Sequence, residues 1–170
     1  MPTTVSLEAF ENLTDRAVLR IVPIAGGLTQ EKGEAFLAVL DQLLEQWKES
    51  GKVTAGTAVL AANGKFVMIA YDLAGADLSG CTKDQLTHAL LDYERVLKTP
   101  MLNAPRIAVE RNGEVDFMNN IQFKELRAAG EVDAGTRVYD HLIATLGELR
   151  DGKFETTVGE SWYDRVGKPS

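Results

Sequence analysis

The sequence predicts an α+β domain built mainly on an antiparallel sheet, with its helices packed on one face. Three observations support this fold. Asn-Gly pairs at 63–64 and 112–113 each separate two runs of β-forming residues, and Asn-Gly is the strongest short signal for a tight hairpin. Amphipathic helical patterns at 29–50 and 82–98 alternate with the hairpins. The resulting order begins with the β-α-β-β-α-β pattern of ferredoxin-like folds, and helices on one face of the sheet suit that order.

The chain begins with a weakly patterned stretch, residues 1–14, that we expect to be a loose arm of a single domain spanning 1–170. The first strand is predicted at 17–24, AVLRIVPI, because apolar residues alternate there. Pro23 has no amide hydrogen and therefore confines this strand to a sheet edge or to its own end.

A long helix is predicted from Thr29 to about Ser50. Thr29 is a favourable N-cap residue, and Gly51 suits the left-handed conformation that ends many helices. Apolar residues recur between them at helical spacing and predict one buried face. These residues are Phe36, Leu40, Leu43, Leu44 and Trp47.

Each predicted hairpin joins two short apolar runs. The first joins VTAGTAVLAA (53–62) to KFVMIAYD (65–72), and the second joins RIAVE (106–110) to EVDFM (114–118). The turn residues between them can adopt the positive φ values that a type I′ turn requires.

The second helix is predicted between the hairpins, from Thr82 to Lys98. It ends before Pro100, as helices usually do. Its apolar side is formed by Leu86, Leu90, Tyr93 and Leu97.

The C-terminal part is predicted to be a helical extension of this domain. Residues 123–129 have the pattern of a short helix that Gly130 ends. Two patterns compete in 136–150, because TRVY alone is typical of a strand. We favour a helix for most of this segment on the helical spacing of Val138, Leu142, Leu146 and Leu149. Trp162 is expected to anchor the C-terminal segment on the core.

Composition and charge narrow the classes of function. A chain of 170 residues that is 45% hydrophobic can form one domain with a sizeable core. The formal net charge of −7 repels phosphate backbones and the basic residues are scattered, so we expect no nucleic-acid partner. No apolar stretch approaches the length of a membrane span, so we expect no membrane partner either.

The cysteine content and the N-terminus indicate a compartment. The single cysteine, Cys81, cannot form an internal disulfide, which favours a reducing environment. The N-terminus has no basic segment followed by an apolar run, so we expect no signal peptide and a cytoplasmic location.

Motifs that bind cofactors or metals are absent from the sequence. There is no G-x-x-x-x-G-K-[ST] phosphate loop and no G-x-S-x-G nucleophile motif. The two histidines, His88 and His141, cannot form an H-E-x-x-H site. Asp140 beside His141 invites an acid–base interpretation, but adjacent residues of a helix do not face each other. We therefore expect neither a cofactor nor a metal.

The segment LSGCTKDQ, residues 78–85, is the main candidate for chemistry. Thr82 and Gln85 have the spacing of a capping box, which places Cys81 just outside a helix N-terminus. The helix dipole there favours a thiolate, whereas the negative charge of Asp84 opposes it. We favour a buried, inert Cys81 that fills space at the turn over a reactive thiol.

Three segments carry a resemblance to a known family. SGCTKD (79–84), DAGTRVYDHL (133–142) and ESWYDR (160–165) resemble a family of uncharacterised small bacterial proteins with G-C-[ST]-x-D and C-terminal S-W motifs. Members are often labelled "ABC transporter ATPase", although such an ATPase requires a phosphate loop and this chain has none. Lys83 stands where the family has an apolar residue. The positions that match the family motifs are Gly80, Cys81, Thr82, Asp84, Thr136, Val138, Tyr139, Ser161 and Trp162.

The resemblance implies no activity, so the function remains a choice between two hypotheses. The first is a non-catalytic binding or assembly protein whose partner is a small molecule or a protein, with a homodimer left open. The second is a thiol-dependent enzyme or redox-sensitive protein that uses Cys81 in a pocket between the LAGADLSG loop (73–80) and the C-terminal segment. The candidate binding residues are Gly80, Cys81, Thr82, Asp84, Tyr139 and Trp162.

Overall fold

The computed structural model describes residues 6–166 and shows an α+β fold, as predicted. The helices are α1 (Gln30–Glu49), α2 (Gly80–Leu97), α3 (Asn120–Ala128) and α4 (Leu146–Arg150). The strands are β1 (Val18–Pro23), β2 (Val53–Ala61), β3 (Phe66–Leu73), β4 (Ile107–Arg111), β5 (Glu114–Met118), β6 (Arg137–Tyr139) and β7 (Glu155–Thr157). Short 3₁₀-helices lie at Leu7–Phe10 and Trp162–Arg165.

The strands form two antiparallel sheets where one was expected. Sheet A has the order β1-β3-β2, and sheet B has the order β5-β4-β6-β7. The order in sheet A is the one these strands take in the β-α-β-β-α-β pattern. In that pattern the fourth strand would pair with the first, but here β4 pairs with β5 and β6. The prediction of a single sheet is therefore corrected to two.

Helices α1 and α2 pack on one face of sheet A, as predicted. The residues of this first core come from both helices and from alternate positions of β1 and β3; among them are Phe36, Leu40, Leu90, Val22, Val67 and Ile69. Side chains of a strand alternate between the two faces of its sheet, so the opposite face of β1 and β3 also requires a cover.

Sheet B provides that cover. The second core lies between the two sheets and includes Ile21, Phe66, Met68, Ala108, Val115 and Tyr139. A third core lies on the outer face of sheet B, where α3 and the C-terminal segment pack; it includes Val109, Val138, Phe123 and Val166. The elements thus stack as helices, sheet A, sheet B and α3, which explains why β4 lies over sheet A instead of beside β1.

The boundaries and buried face of α1 agree with the sequence prediction. The Thr29 side chain accepts a hydrogen bond from the Lys32 amide, and Gly51, with φ of +74°, follows the last turn. Trp47 is buried and its indole N–H donates to the Gln85 side chain of α2 at 2.9 Å. Leu43 was predicted to be a core residue but is only partly buried.

Both Asn-Gly hairpins form as predicted. In the second hairpin Arg111 pairs with Glu114, and Asn112 and Gly113 have φ values of +55° and +81°. In the first, residues 63–64 also have positive φ and occupy the turn between β2 and β3. The ability of Asn-Gly to adopt positive φ at both turn positions therefore explains both hairpin turns.

The prediction of a mainly helical segment at 136–150 is wrong. Residues 137–139 form β6, and α4 begins only at Leu146. Val138 and Tyr139 pair with β4 and are buried on opposite faces of sheet B. This two-sided burial favours a strand, so the TRVY alternative describes the segment correctly.

The prediction of a loose arm at 1–14 is wrong for residues 6–14, the part of it that the structure describes. Phe10 is fully buried and Leu13 nearly so. The Arg150 guanidinium donates to the C=O groups of Phe10 and Leu13 at 2.9 and 2.8 Å and pairs with Asp15. Residues 6–14 are therefore attached to α4, and residues 1–5 lie outside the described residues.

Leu40→Ala should lower the free energy of unfolding by about 2–5 kcal/mol, the usual cost of truncating a fully buried leucine. Leu40 is 1% exposed, whereas Leu43 on the same helix is only partly buried, so Leu43→Ala should cost less. Urea denaturation of the two variants measures both losses. Equal losses would contradict this orientation of α1.

Candidate functional site

An open groove of about 910 Å³ runs along the outer edge of β1. One wall is the strand itself, at 19–23. The other walls come from the loop 101–107, from 141–144 and from 162–163, with Asn120 at the start of α3. Ligand pockets in proteins commonly have volumes of about 300–1,000 Å³, so the groove is large enough for a specific ligand.

Among residues 6–166, the outer edge of β1 is paired at its two ends and has no hydrogen-bonded neighbour between them. The Leu19 amide donates to the Ala144 C=O at 2.9 Å, and beyond the strand the Ala25 amide donates to the Pro100 C=O at 2.9 Å. The groove lies between these two hydrogen bonds. It occupies the place beside β1 that a fourth strand would fill in the β-α-β-β-α-β pattern.

The loop 101–107 is held against α2 by one carboxylate. The Glu94 side chain accepts hydrogen bonds from the Met101 amide at 2.6 Å and from the Asn103 amide at 3.0 Å. It also accepts one from the Asn103 side chain at 2.7 Å. Hydrogen bonds to a charged group are among the stronger ones in proteins, so this wall is fixed in place.

The C-terminal wall is held by Arg127 of α3, whose side chain is 8% exposed. Its guanidinium donates to the C=O groups of Asp164 and Val166 at 2.8 and 3.2 Å. Trp162 was expected to anchor this segment, but its side chain is 66% exposed. Tyr163 and Val166 pack on the third core in its place. The indole of Trp162 is therefore an exposed aromatic surface at the groove.

Two arginines line the groove, Arg20 from β1 and Arg106 from the residue before β4. Neither forms an ion pair with a carboxylate within residues 6–166, unlike Arg127, Arg137 and Arg150. The groove therefore has two cationic side chains outside these ion pairs, on a chain whose formal net charge is −7. The carboxylate of Asp140 is close enough to act on its lining residues His141 and Tyr163.

His141 lines the groove and has one buried polar atom without a hydrogen bond among the described residues. Its Nδ1 atom is buried and has no hydrogen-bond partner among the described residues. Its ring lies 6.2 Å from that of Phe66. Burial lowers the pKa of His141 and the nearby Arg106 lowers it further, while Asp140 raises it. Burial therefore favours the neutral imidazole, and its Nδ1 atom lies out of contact with the open space of the groove.

The residues predicted as a binding site do not come together. Gly80, Cys81 and Asp84 are exposed in the first turns of α2. Tyr139 is 1% exposed in the core between the two sheets, and only Trp162 lines the groove. These residues lie in three separate regions of the structure. Their assignment as one binding site stays a prediction.

The predicted start of α2 at a Thr82–Gln85 capping box is wrong. Ser79 is the N-cap, and its hydroxyl accepts a hydrogen bond from the Thr82 amide at 3.2 Å. Thr82 is 3% exposed and bonds the Ser79 hydroxyl. Gln85 accepts a hydrogen bond from the indole of Trp47, and the cap lies three residues before Thr82. The helix therefore begins earlier than predicted and includes Cys81.

Cys81 is exposed, so the preference for a buried thiol is also wrong. A smaller pocket of about 360 Å³ does border the 73–80 loop, but its opposite wall is Gly51 and Lys52, not the C-terminal segment. Thr82 lines this pocket, whereas Cys81 does not. The role of Cys81 in a thiol-dependent reaction stays a prediction.

The sequence reasoning missed Arg20, Arg106 and His141 as groove residues. The sequence prediction excludes an Asp140–His141 pair because adjacent residues of a helix do not face each other. The segment is not helical: Asp140 accepts a hydrogen bond from the Leu142 amide in a turn that directs the chain along the groove. The Asp140–His141 pair was therefore visible in the sequence, but the helix predicted over 136–150 led to its exclusion.

Comparisons with models of protein families, with curated proteins and with solved structures find no match to this chain. The geometry of the groove is therefore the basis for the function proposed below.

Two further properties of the described residues bear on function. Across 6–166, no group of three or more His, Cys, Asp or Glu side chains is placed to hold a metal ion. None of the helices in this part of the chain has the length and apolar character that a membrane crossing requires.

Cys81 should react completely with dithionitrobenzoate in the native protein, because its side chain is exposed. The absorbance of the released thiolate measures this reaction, and Cys81→Ser, which removes the only cysteine, should abolish it. Cys81→Ala should change the free energy of unfolding by no more than about 0.5 kcal/mol, as exposed substitutions usually do. A reaction that requires denaturant would contradict the exposed position.

Proposed function

We propose that this chain is a non-catalytic binding protein and that the groove beside β1 is its ligand site. The observation that carries the proposal is the combination, in one groove, of exposed apolar surface and two arginines that form no ion pair with any carboxylate of residues 6–166. Pockets that pair apolar walls with a few placed polar groups are the usual form of ligand sites.

The lining residues indicate the chemistry of the ligand. The guanidinium groups of Arg20 and Arg106 favour a carboxylate or phosphate, which arginine binds through paired hydrogen bonds. Trp162 and Leu142, which is 78% exposed, favour an apolar or aromatic part. The ligand should therefore combine a negative charge with apolar surface.

The lining residues favour binding over catalysis. Nucleophilic or acid–base catalysis uses a reactive side chain next to a base that orients or activates it. The groove brings together guanidinium groups, aromatic rings and aliphatic side chains, with His141 packed against Phe66. Such groups hold and orient a ligand.

We also propose that the protein is cytoplasmic. The proposal includes membership in the small bacterial family with the G-C-[ST]-x-D motif. An exposed free thiol such as Cys81 suits a reducing compartment. Family membership rests on the three short motifs and adds no activity to the binding function.

The test uses anilinonaphthalene sulfonate, a fluorescent dye that carries a sulfonate on aromatic rings. With the dye excited directly, its emission should rise and saturate on titration with the native protein. Arg106→Ala should weaken binding about tenfold, since a hydrogen bond to a charged group contributes about 1.5–3 kcal/mol. Trp162→Ala should also weaken binding, because it removes the aromatic surface that would pack against the rings of the dye.

Arg95→Ala is the matched control, because Arg95 is an exposed arginine of α2 that pairs with Asp92 outside the groove. It should bind the dye as the unchanged protein does. Equal binding by all three variants would place the dye elsewhere and remove the basis of the proposed function.

A further inference from the structure

The open part of the β1 edge presents backbone groups to the groove. Residues on one strand direct their N–H and C=O groups alternately to the two sides. Because the Leu19 amide points outward to Ala144, Ile21 and Pro23 direct their backbone groups to the same side. Within residues 6–166, neither the Ile21 amide nor its C=O has a partner there.

The free groups are mainly acceptors. Pro23 has a C=O but no N–H. The Ala144 amide donates to the Glu148 side chain at 3.0 Å, which leaves the Leu19 C=O without the donor that a continued ladder would supply. Between the hydrogen bonds at Leu19 and Ala25, the edge therefore offers three carbonyls and one amide that no other described residue pairs with.

We propose that the ligand of the groove is an extended acidic peptide segment of another protein, which adds a strand to the open edge of β1. This inference rests on the proposed function and names the class of ligand. The distance from Leu19 to Ala25 is about 20 Å at the rise of a β-strand, enough for about five residues. The segment 144–146 already pairs with the start of the same edge, so an added strand continues an existing line of pairing.

Charge and hydrogen-bonding complementarity select this occupant. Acidic side chains of an added strand would meet Arg20 and Arg106, while apolar ones would meet Leu142 and Trp162. A peptide strand offers the amide donors that three carbonyls require. A second copy of this chain is less complementary, because two β1 edges facing each other would oppose carbonyls to carbonyls.

The probe is a fluorescein-labelled hexapeptide of alternating glutamate and valine, measured by fluorescence polarisation. It should bind saturably. The same peptide with N-methylated valines keeps its side chains but loses amide donors, so it should bind about tenfold more weakly. A lysine-valine peptide should not bind, because its charge opposes that of the groove.

On the protein, Ile21→Pro removes the outward amide that has no partner among residues 6–166, and Ile21→Ala is the matched control that loses the side chain and keeps the amide. Proline is tolerated where a strand amide faces away from its neighbour. Ile21→Pro should weaken binding of the glutamate-valine peptide more than Ile21→Ala does. The N-methylated peptide gives the same test on the unchanged protein if the proline variant does not fold.

The outcomes separate the inference from the proposed function. Strand addition would be overturned if the N-methylated and unmethylated acidic peptides bound equally. It would also be overturned if neither peptide bound while the dye still bound and Arg106→Ala still weakened the dye. Either result would leave the groove as a site for anions. Loss of groove-dependent dye binding would overturn the proposed function itself. Concentration-dependent dimerisation that Ile21→Pro abolishes would make a second copy the occupant and overturn the peptide.

Discussion

The structure depends on the burial of β3 on both of its faces. Its residues from Phe66 to Tyr71 are almost fully buried, and each face needs an apolar cover of its own. Helices α1 and α2 cover one face and sheet B covers the other. Because β4 belongs to the covering sheet, it is not available to pair with β1, whose outer edge remains partly open. The groove is therefore a consequence of how the second face of sheet A is covered.

Most of the fold could be predicted from local signals. Thr29 and Gly51 bound α1, and the Asn-Gly pairs at 63–64 and 112–113 produce the two hairpins, because caps and tight turns depend on a few adjacent residues. The division into two sheets could not be predicted, since the pairing of β4 is decided by contacts distant in sequence. The same limit applies to 136–150, where burial on both faces of sheet B overrides a helical spacing of apolar residues.

Little of the candidate site could be predicted. The groove joins residues from β1, from the 101–107 loop and from the C-terminal segment, and no short motif contains them. Cys81 is the only cysteine of the sequence and was therefore the main candidate for chemistry, yet it lies at the exposed start of α2 and outside the groove. Arg20 and Arg106 carried no distinguishing signal, since an arginine without an ion pair is recognisable only when its neighbours in space are known.

Amide hydrogen exchange of Leu19 and Ile21 in the free protein tests the open edge of β1 most directly. Both residues lie on the same strand, direct their amides to the same side and have buried side chains. Leu19 is bonded to Ala144 and should be protected, whereas the Ile21 amide should exchange at least about tenfold faster. Equal protection of the two amides would contradict an open edge and, with it, the groove as a site of strand addition.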